Sequence, residues 1–320
     1  SVAAPLKRNG SCDSFVTSGR DDEPESANEA TLRAGGVLQM QLLIGPIVGL
    51  LLLGVGFGIV ERFWPSIRGQ RRLRRGWRTD LAWFAWQPTL GKLLSGVVVF
   101  VAIMSLGALV MSPIPTDELR GVSPRETWVT GLPLVAQVGG ILLLGDFLGY
   151  WQHRAFHTVG TLWKFHSIHH SSTDLDWLSS VRVHPINDIA SNVVVALPLL
   201  FLGFSPVAFA AYVPVLTLYG VMLHANVSWT FGPLRQVIAS PTYHRWHHTS
   251  EVQGLNKNYA GLFPWIDRLH GTLYLPKGVQ PMQFGVAGEA IPTGFFGQMK
   301  YPFRGAGSGS EPAEATSARA

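Results

Sequence analysis

TWVTGLPLVAQVGGILLLGDFLGYWQHRAFH, residues 127–157, joins an uncharged apolar run to a histidine-bearing end. The run, Thr127–Gly145, is long enough to cross a bilayer, which takes roughly 20 residues. The pair His153 and His157 sits four residues apart, so a helix continuing through HRAFH turns both imidazoles to one face. Thirteen residues beyond His157 the chain has added HSIHH, so His166, His169 and His170 gather near the same membrane edge. This stretch predicts a transmembrane helix that delivers metal-ligand chemistry to its end.

The rest of the chain agrees with a membrane fold. Only 14% of the 320 residues are charged and 47% are hydrophobic, against about 25% charge in a soluble domain. Seven arginines fall between Arg62 and Arg78, directly after an apolar segment. They read as a topology signal rather than a nucleic-acid footprint. The single cysteine, Cys12, excludes an internal disulfide framework and a Cys-based zinc or iron–sulfur site. Residues 1–34 are polar and without apolar period, and 301–320 end in low complexity, so both are expected to be disordered around a membrane domain at 35–300.

Three further uncharged stretches complete that domain. Gly35–Val60 and Leu93–Thr116 each suit one crossing. Ile189–Leu223 is too long for a single straight helix across a core of about 30 Å. GFSP at 203–206 interrupts it, so it predicts a hairpin whose legs enter and leave on one side. The arginine-rich loop after the first span is expected to be cytoplasmic. Counting crossings from there puts every histidine on the cytoplasmic side.

Ten of the eleven histidines lie between His153 and His248. HRWHH supplies His244, His247 and His248, while His184 and His224 stand alone. In each HxxHH the first histidine shares a helix face with the next two. Any one of them could be a surface residue near headgroups. Packed together as cations they would repel, and metal coordination keeps them neutral and partnered. This many nitrogen ligands without a nearby cysteine suit two metals. Iron is the sharper hypothesis, because it offers oxygen an open position, with copper or zinc possible from the ligands alone.

DFLGYWQHRAFH at 146–157, LWKFHSIHHSS at 162–172, RVHP at 182–185, SPTYHRWHHT at 240–249 and NYAGLFPWIDRLHGTLYLP at 258–276 resemble the fatty acid hydroxylase/sterol desaturase superfamily of membrane di-iron enzymes. The resemblance spans roughly residues 127–276, with the histidine boxes at 146–276. It implies an all-α integral membrane protein with about four transmembrane helices or hairpin legs, capped by a cytosolic histidine-rich helical domain. It further implies two irons, O2 as co-substrate, and hydroxylation or desaturation of a lipid. Carried over by motif, the box histidines are His153, His157, His166, His169, His170, His244, His247 and His248. His184 and His224 fall where the family often supplies further ligands. His270 departs from the pattern and is taken as a spare surface residue.

Asp146 and Tyr150 share the helix face of His153, so Asp146 is a candidate to hold a histidine N–H. Asp188, with Asn187, and Asn226 are candidates for similar support. The tryptophans read as an interfacial belt. Electrons must come from an external donor of the ferredoxin or cytochrome b5-type reductase kind, since neither a flavin nor a nicotinamide fingerprint is evident. A zinc-dependent membrane hydrolase would want a general base such as the Glu of HExxH, which none of the boxes has. A non-catalytic metal- or lipid-binding protein is the remaining alternative. A transporter should place polar ligands within its spans, and the apolar runs here hold no histidine.

Overall fold

The computed structural model describes residues 27–110 and 127–304. The remaining leader, with Cys12, and residues 305–320 lie outside the described residues. The chain divides into compact units at 1–45 and 46–320. Only 27–45 of the first are described, and they are helical. The second carries everything that follows.

Helix α1 (Ala27–Phe63) takes in the first apolar stretch. It starts at Ala27, inside the segment expected to be a disordered leader to residue 34. That segment, ANEATLRA, is rich in good helix formers and has no proline to stop the helix extending backward. Helices α2 (Trp77–Trp86) and α3 (Lys92–Val110) are joined by a π-helical turn at Gln87–Gly91. Pro88 lies in that turn and has no N–H to donate, so the chain widens there without ending. Among the described residues, four helical segments are long and apolar enough to cross a membrane: Ile44–Phe63, Trp77–Ala102, Leu134–Thr158 and Pro206–His224.

Helix α4 (Leu134–Thr158) runs without interruption from the apolar stretch through HRAFH. Val159, in extended conformation, serves as its C-cap and as the N-cap of α5 (Gly160–His170). One extended residue therefore turns HSIHH back onto HRAFH. The hairpin forms as the sequence predicts. Its first leg is α6 (Pro185–Ser191), a π turn at Asn192–Ala196 and α7 (Leu197–Phe201). Gly203 adopts φ 94°, and Ser205 caps the second leg, α8 (Pro206–His224), by accepting the Ala208 N–H at 3.2 Å.

The hairpin packs on α4 through Val129, Ile141, Leu199, Phe204 and Ala208. Gly140 is needed at this crossing, because a Cβ there would stand 2.8 Å from the Phe204 ring. Thr127 donates from its hydroxyl to Leu202 O at 2.7 Å, which ties the hairpin tip to the start of α4. The histidines are therefore at the opposite end of both elements. The arginine loop is at that same end: Pro65 pairs with Val227, and Ile67 N–H donates to Asn226 Oδ1 at 2.9 Å.

Three short helices complete the described chain: α9 (Pro241–His247), α10 (Pro264–Leu269) and α11 (Phe295–Lys300). Ser240 caps α9 through the Tyr243 N–H, and Pro241 follows at the first helical position. Residues 301–303, expected to belong to a disordered tail, form a 3₁₀ turn. The described residues contain no β-sheet, only isolated bridges.

Candidate metal centre

Four helix ends converge: α4 supplies His153 and His157, α5 His166, His169 and His170, α8 His224, and α9 His244 and His247, with His248 directly after. They form two groups, His153, His157, His166, His170 and His247, and His169, His224, His244 and His248. Within each group the nearest ligand atoms all lie within 4.8 Å of one another. The groups adjoin, with the His170 and His248 rings stacked at 4.3 Å.

Backbone carbonyls fix which nitrogen of each ring points inward. The Nδ1–H of His153 donates to Tyr259 O at 2.7 Å, that of His169 to Arg182 O at 3.1 Å, that of His224 to Gly220 O at 2.7 Å, and that of His247 to Lys257 O at 2.9 Å. His166 Nδ1 donates to Asn187 Oδ1 at 2.8 Å. A neutral ring that donates from Nδ1 presents a bare lone pair at Nε2. Those lone pairs face one another: His153 and His166 Nε2 are 3.0 Å apart, and His224 and His169 Nε2 are 3.1 Å apart. Two acceptors at that distance have no proton to share. A cation between them removes the conflict. His157 Nε2 and His247 Nε2 are also buried without a partner. The donor set thus fits a metal on the geometry of the rings themselves.

The electrostatics agree. His166, His170, His244, His247 and His248 are each less than a tenth exposed. Burial first, then the neighbouring imidazoles, pushes these five and His169 well below the ordinary histidine pKa. They are neutral at physiological pH, the form that ligates.

His184 is the one candidate ligand that joins neither group. It caps α6: its Nδ1 accepts the Ile186 N–H at 3.2 Å, and its Nε2 lies 3.2 Å from Met299 O. Both nitrogens are engaged. His224, the other lone histidine, lies at the C-terminal end of α8 and enters the second group. His270 is outside both groups and stacks on Tyr150 at 4.6 Å.

The support residues differ from expectation. Asp146 holds no imidazole; it accepts the N–H groups of Gly261, Leu262 and Phe263 at 2.7, 3.0 and 2.8 Å. Gly261 permits that approach, since a Cβ there would lie 3.2 Å from Asp146 Oδ1. Asp146 therefore anchors the loop whose Tyr259 carbonyl orients His153. Tyr150 bonds Thr272 Oγ1 at 3.0 Å and receives Arg154 Nη1 at 3.1 Å, not a histidine. At the start of α6 Asn187 rather than Asp188 reaches an imidazole, because Asp188 faces Ser95 on α3. Asn226 clamps Ile67 through both its amide atoms. Trp246 is fully buried, packed edge-on against Tyr274 at 4.9 Å, and is no interfacial anchor.

Sequence reading missed two buried supports. Arg74 binds Asp176 at 2.7 and 2.5 Å and Asp80 at 2.8 Å, while Arg182 reaches Asp80 at 2.7 and 2.6 Å. The Arg182 carbonyl is the acceptor for His169, so this network sets the orientation of that imidazole. Asp80, a lone carboxylate at the head of an apolar segment, was the available signal. Asp267 accepts the Tyr259 and Ala260 N–H groups at 2.8 and 2.9 Å and the Tyr243 hydroxyl. It lay in plain view within WIDRLH but without any spacing that marks it.

A helical integral membrane protein with a nitrogen-lined end able to hold metal is the class that this fold and site define. Residues 138–272 match the family model for fatty acid hydroxylase. The ornithine lipid hydroxylase OlsE of Rhizobium tropici is 32% identical over 177 residues, 55% of this chain and 53% of that protein. Alkylglycerol monooxygenase of Homo sapiens is 32% identical over 127 residues, 40% of this chain and 28% of that protein. The very-long-chain aldehyde decarbonylase CER1 of Arabidopsis thaliana is 32% identical over 140 residues, 40% of this chain and 22% of that protein. The match over residues 138–272 and these relatives together support membership of the fatty acid hydroxylase superfamily. It spans about half the length of the first of these relatives and less of the others. No solved structure matches it.

Proposed function

We propose that this protein is a membrane-bound, non-haem di-iron oxygenase that hydroxylates a C–H bond of a lipid, with O2 as co-substrate and electrons from an external donor. The observation that carries the reading is the set of opposed Nε2 lone pairs, divided between two adjoining groups of neutral imidazoles. His153, His157, His166, His170 and His247 would hold one iron, and His169, His224, His244 and His248 the other. Iron so held would supply oxygen activation and attack on an unactivated C–H bond.

The chain's own contribution is positional. Carbonyls of Tyr259, Arg182, Gly220 and Lys257 fix the imidazole tautomers. Burial keeps the His169 and His247 rings neutral. The ends of α4 and α8 bring the site to the edge of the apolar helices, where a bilayer lipid can reach it. The site shares that edge with the arginine loop, which supports a cytoplasmic location.

Hydroxylation is favoured over desaturation because two of the relatives are a lipid hydroxylase and a monooxygenase. Those names also favour a polar glycerolipid or an amino-acid lipid as substrate. The test is metal analysis of the purified protein with oxygen uptake and lipid mass spectrometry. Iron near two per chain, lipid-dependent uptake and a product heavier by one oxygen support the reading. One zinc without uptake overturns it in favour of a hydrolase or a structural site.

A further inference from the structure

One cavity in the described chain lies away from the histidines. It measures about 570 Å³ and is lined by Glu61, Arg62, Phe63, Ile67, Arg68, Arg71, Arg72, Asp176 and Asn226 among others. Four arginines therefore line the cavity beside two acidic residues, and both carboxylates already have partners. Glu61 Oε1 accepts the N–H groups of Asn226 at 2.9 Å and Trp177 at 3.1 Å. Asp176 holds Arg74 through both oxygens and also accepts the Ser179 N–H. Arg62, Arg68, Arg71 and Arg72 have no carboxylate partner among the described residues. Behind the wall sits Arg245, fully buried, whose Nη1 donates to Leu175 O, the same carbonyl that pocket-lining Gln70 uses. Its Nε and Nη2 have no partner. The cavity thus carries an excess of positive charge at its rim.

A topology signal needs only charge, and a floppy loop would serve. This loop is fixed. Ser66 N–H donates to Asn226 O at 3.2 Å, Ser228 N–H donates to Trp64 O at 3.1 Å, and Asn226 clamps Ile67 from both sides. The backbone at residues 64–67, from which the arginine loop continues, is thus held beside the cavity. Guanidinium forks match phosphate oxygens. The cavity opens at the end of a candidate membrane span, Ile44–Phe63. Beside it Phe63 and Leu73 are about 70% exposed and Trp64 about half exposed, the pattern of side chains set into the headgroup layer.

We infer that the arginine cavity is a binding site for a phosphate-bearing anion, and that its position selects the headgroup of an anionic membrane lipid. Asn226, which braces the loop, lies two residues from His224, so occupancy also steadies the end of α8.

The test uses the full chain in nanodiscs of phosphatidylcholine with or without phosphatidylglycerol, read by native mass spectrometry and thermal melting. A soluble arm adds inorganic phosphate alone to the phosphatidylcholine sample. The double variant R68Q/R71Q removes two lining charges. R75Q/R78Q removes the same charge from arginines outside the cavity. Retained phosphatidylglycerol and a raised melting temperature are expected in the parent, with affinity lowered about thirtyfold in R68Q/R71Q and little changed in R75Q/R78Q. An unchanged melting temperature in pure phosphatidylcholine shows that the variant still folds. Equal losses in both doubles, or equal retention of the two lipids, overturns the site. Full stabilisation by phosphate alone overturns the choice of a lipid. Neither result depends on oxygenase activity.

Discussion

The apolar helices and the histidine end obey opposite rules. Along Ile44–Phe63 no residue is buried, and Leu51, Leu52 and Val55 are each more than 60% exposed. At the histidine end many of the buried residues are polar, among them Asp80, Arg182, Asp267, Asn258 and most of the imidazoles. A lipid solvent accepts apolar side chains at no cost, so the legs need few internal contacts. Buried charges and lone pairs must each find a partner, so the histidine end is over-determined. The difference teaches where sensitivity lies: a leg tolerates change, and the site does not.

The largest effect is expected from His166→Ala. It removes a ligand at the centre of the first group, and metal analysis should show that group's metal lost, with turnover falling beyond the 10–100-fold typical of supporting residues. Asp80→Ala comes next, leaving Arg74 and Arg182 buried without it at a cost of about 3–5 kcal/mol. A melting temperature within a degree or two of the parent would show that the network is not holding the histidine end. Asp146→Asn should cost about 1–3 kcal/mol, because a neutral amide cannot serve all three N–H groups of the 261–263 loop. At the other extreme, Val101→Ala on an exposed leg position should stay within about 0.5 kcal/mol. A large loss there would mean that the leg has a protein partner instead of lipid.

Acid sharpens the same contrast. His166, His169, His170, His244, His247 and His248 titrate lower in the folded chain than in the unfolded one, where histidine takes its proton near pH 6.5. Below that pH the unfolded state binds more protons, so stability present above about 6.5 is lost as pH falls. Melting of the metal-free protein from pH 8 to 5 should show this decline. Metal retention should fall over the same range as protons compete for Nε2. A flat profile would mean that the imidazoles are solvated.

How much was legible follows from what kind of signal each feature has. The spans and the hairpin break were readable because hydropathy and GFSP act locally. The box histidines were readable because i, i+3 and i+4 spacing is a helix-face property. His184 and His224 were indistinguishable as isolated letters. Only the fold places His224 at the end of a packed leg and His184 at a helix N-terminus with both nitrogens in use. Asp146 shared the helix face of His153, yet it turned out to serve a loop more than a hundred residues away.

The sequence by itself determined which stretches are apolar and long enough to cross a membrane and that histidines gather at their ends, because these depend on composition and on spacing within one helix. Tertiary structure alone decided which nine imidazoles share a site, how they divide into two groups, and which nitrogen each presents. Those depend on carbonyls and charges brought from distant segments, such as Lys257 O to His247 and Asp80 through Arg182 to His169, and no local pattern encodes them.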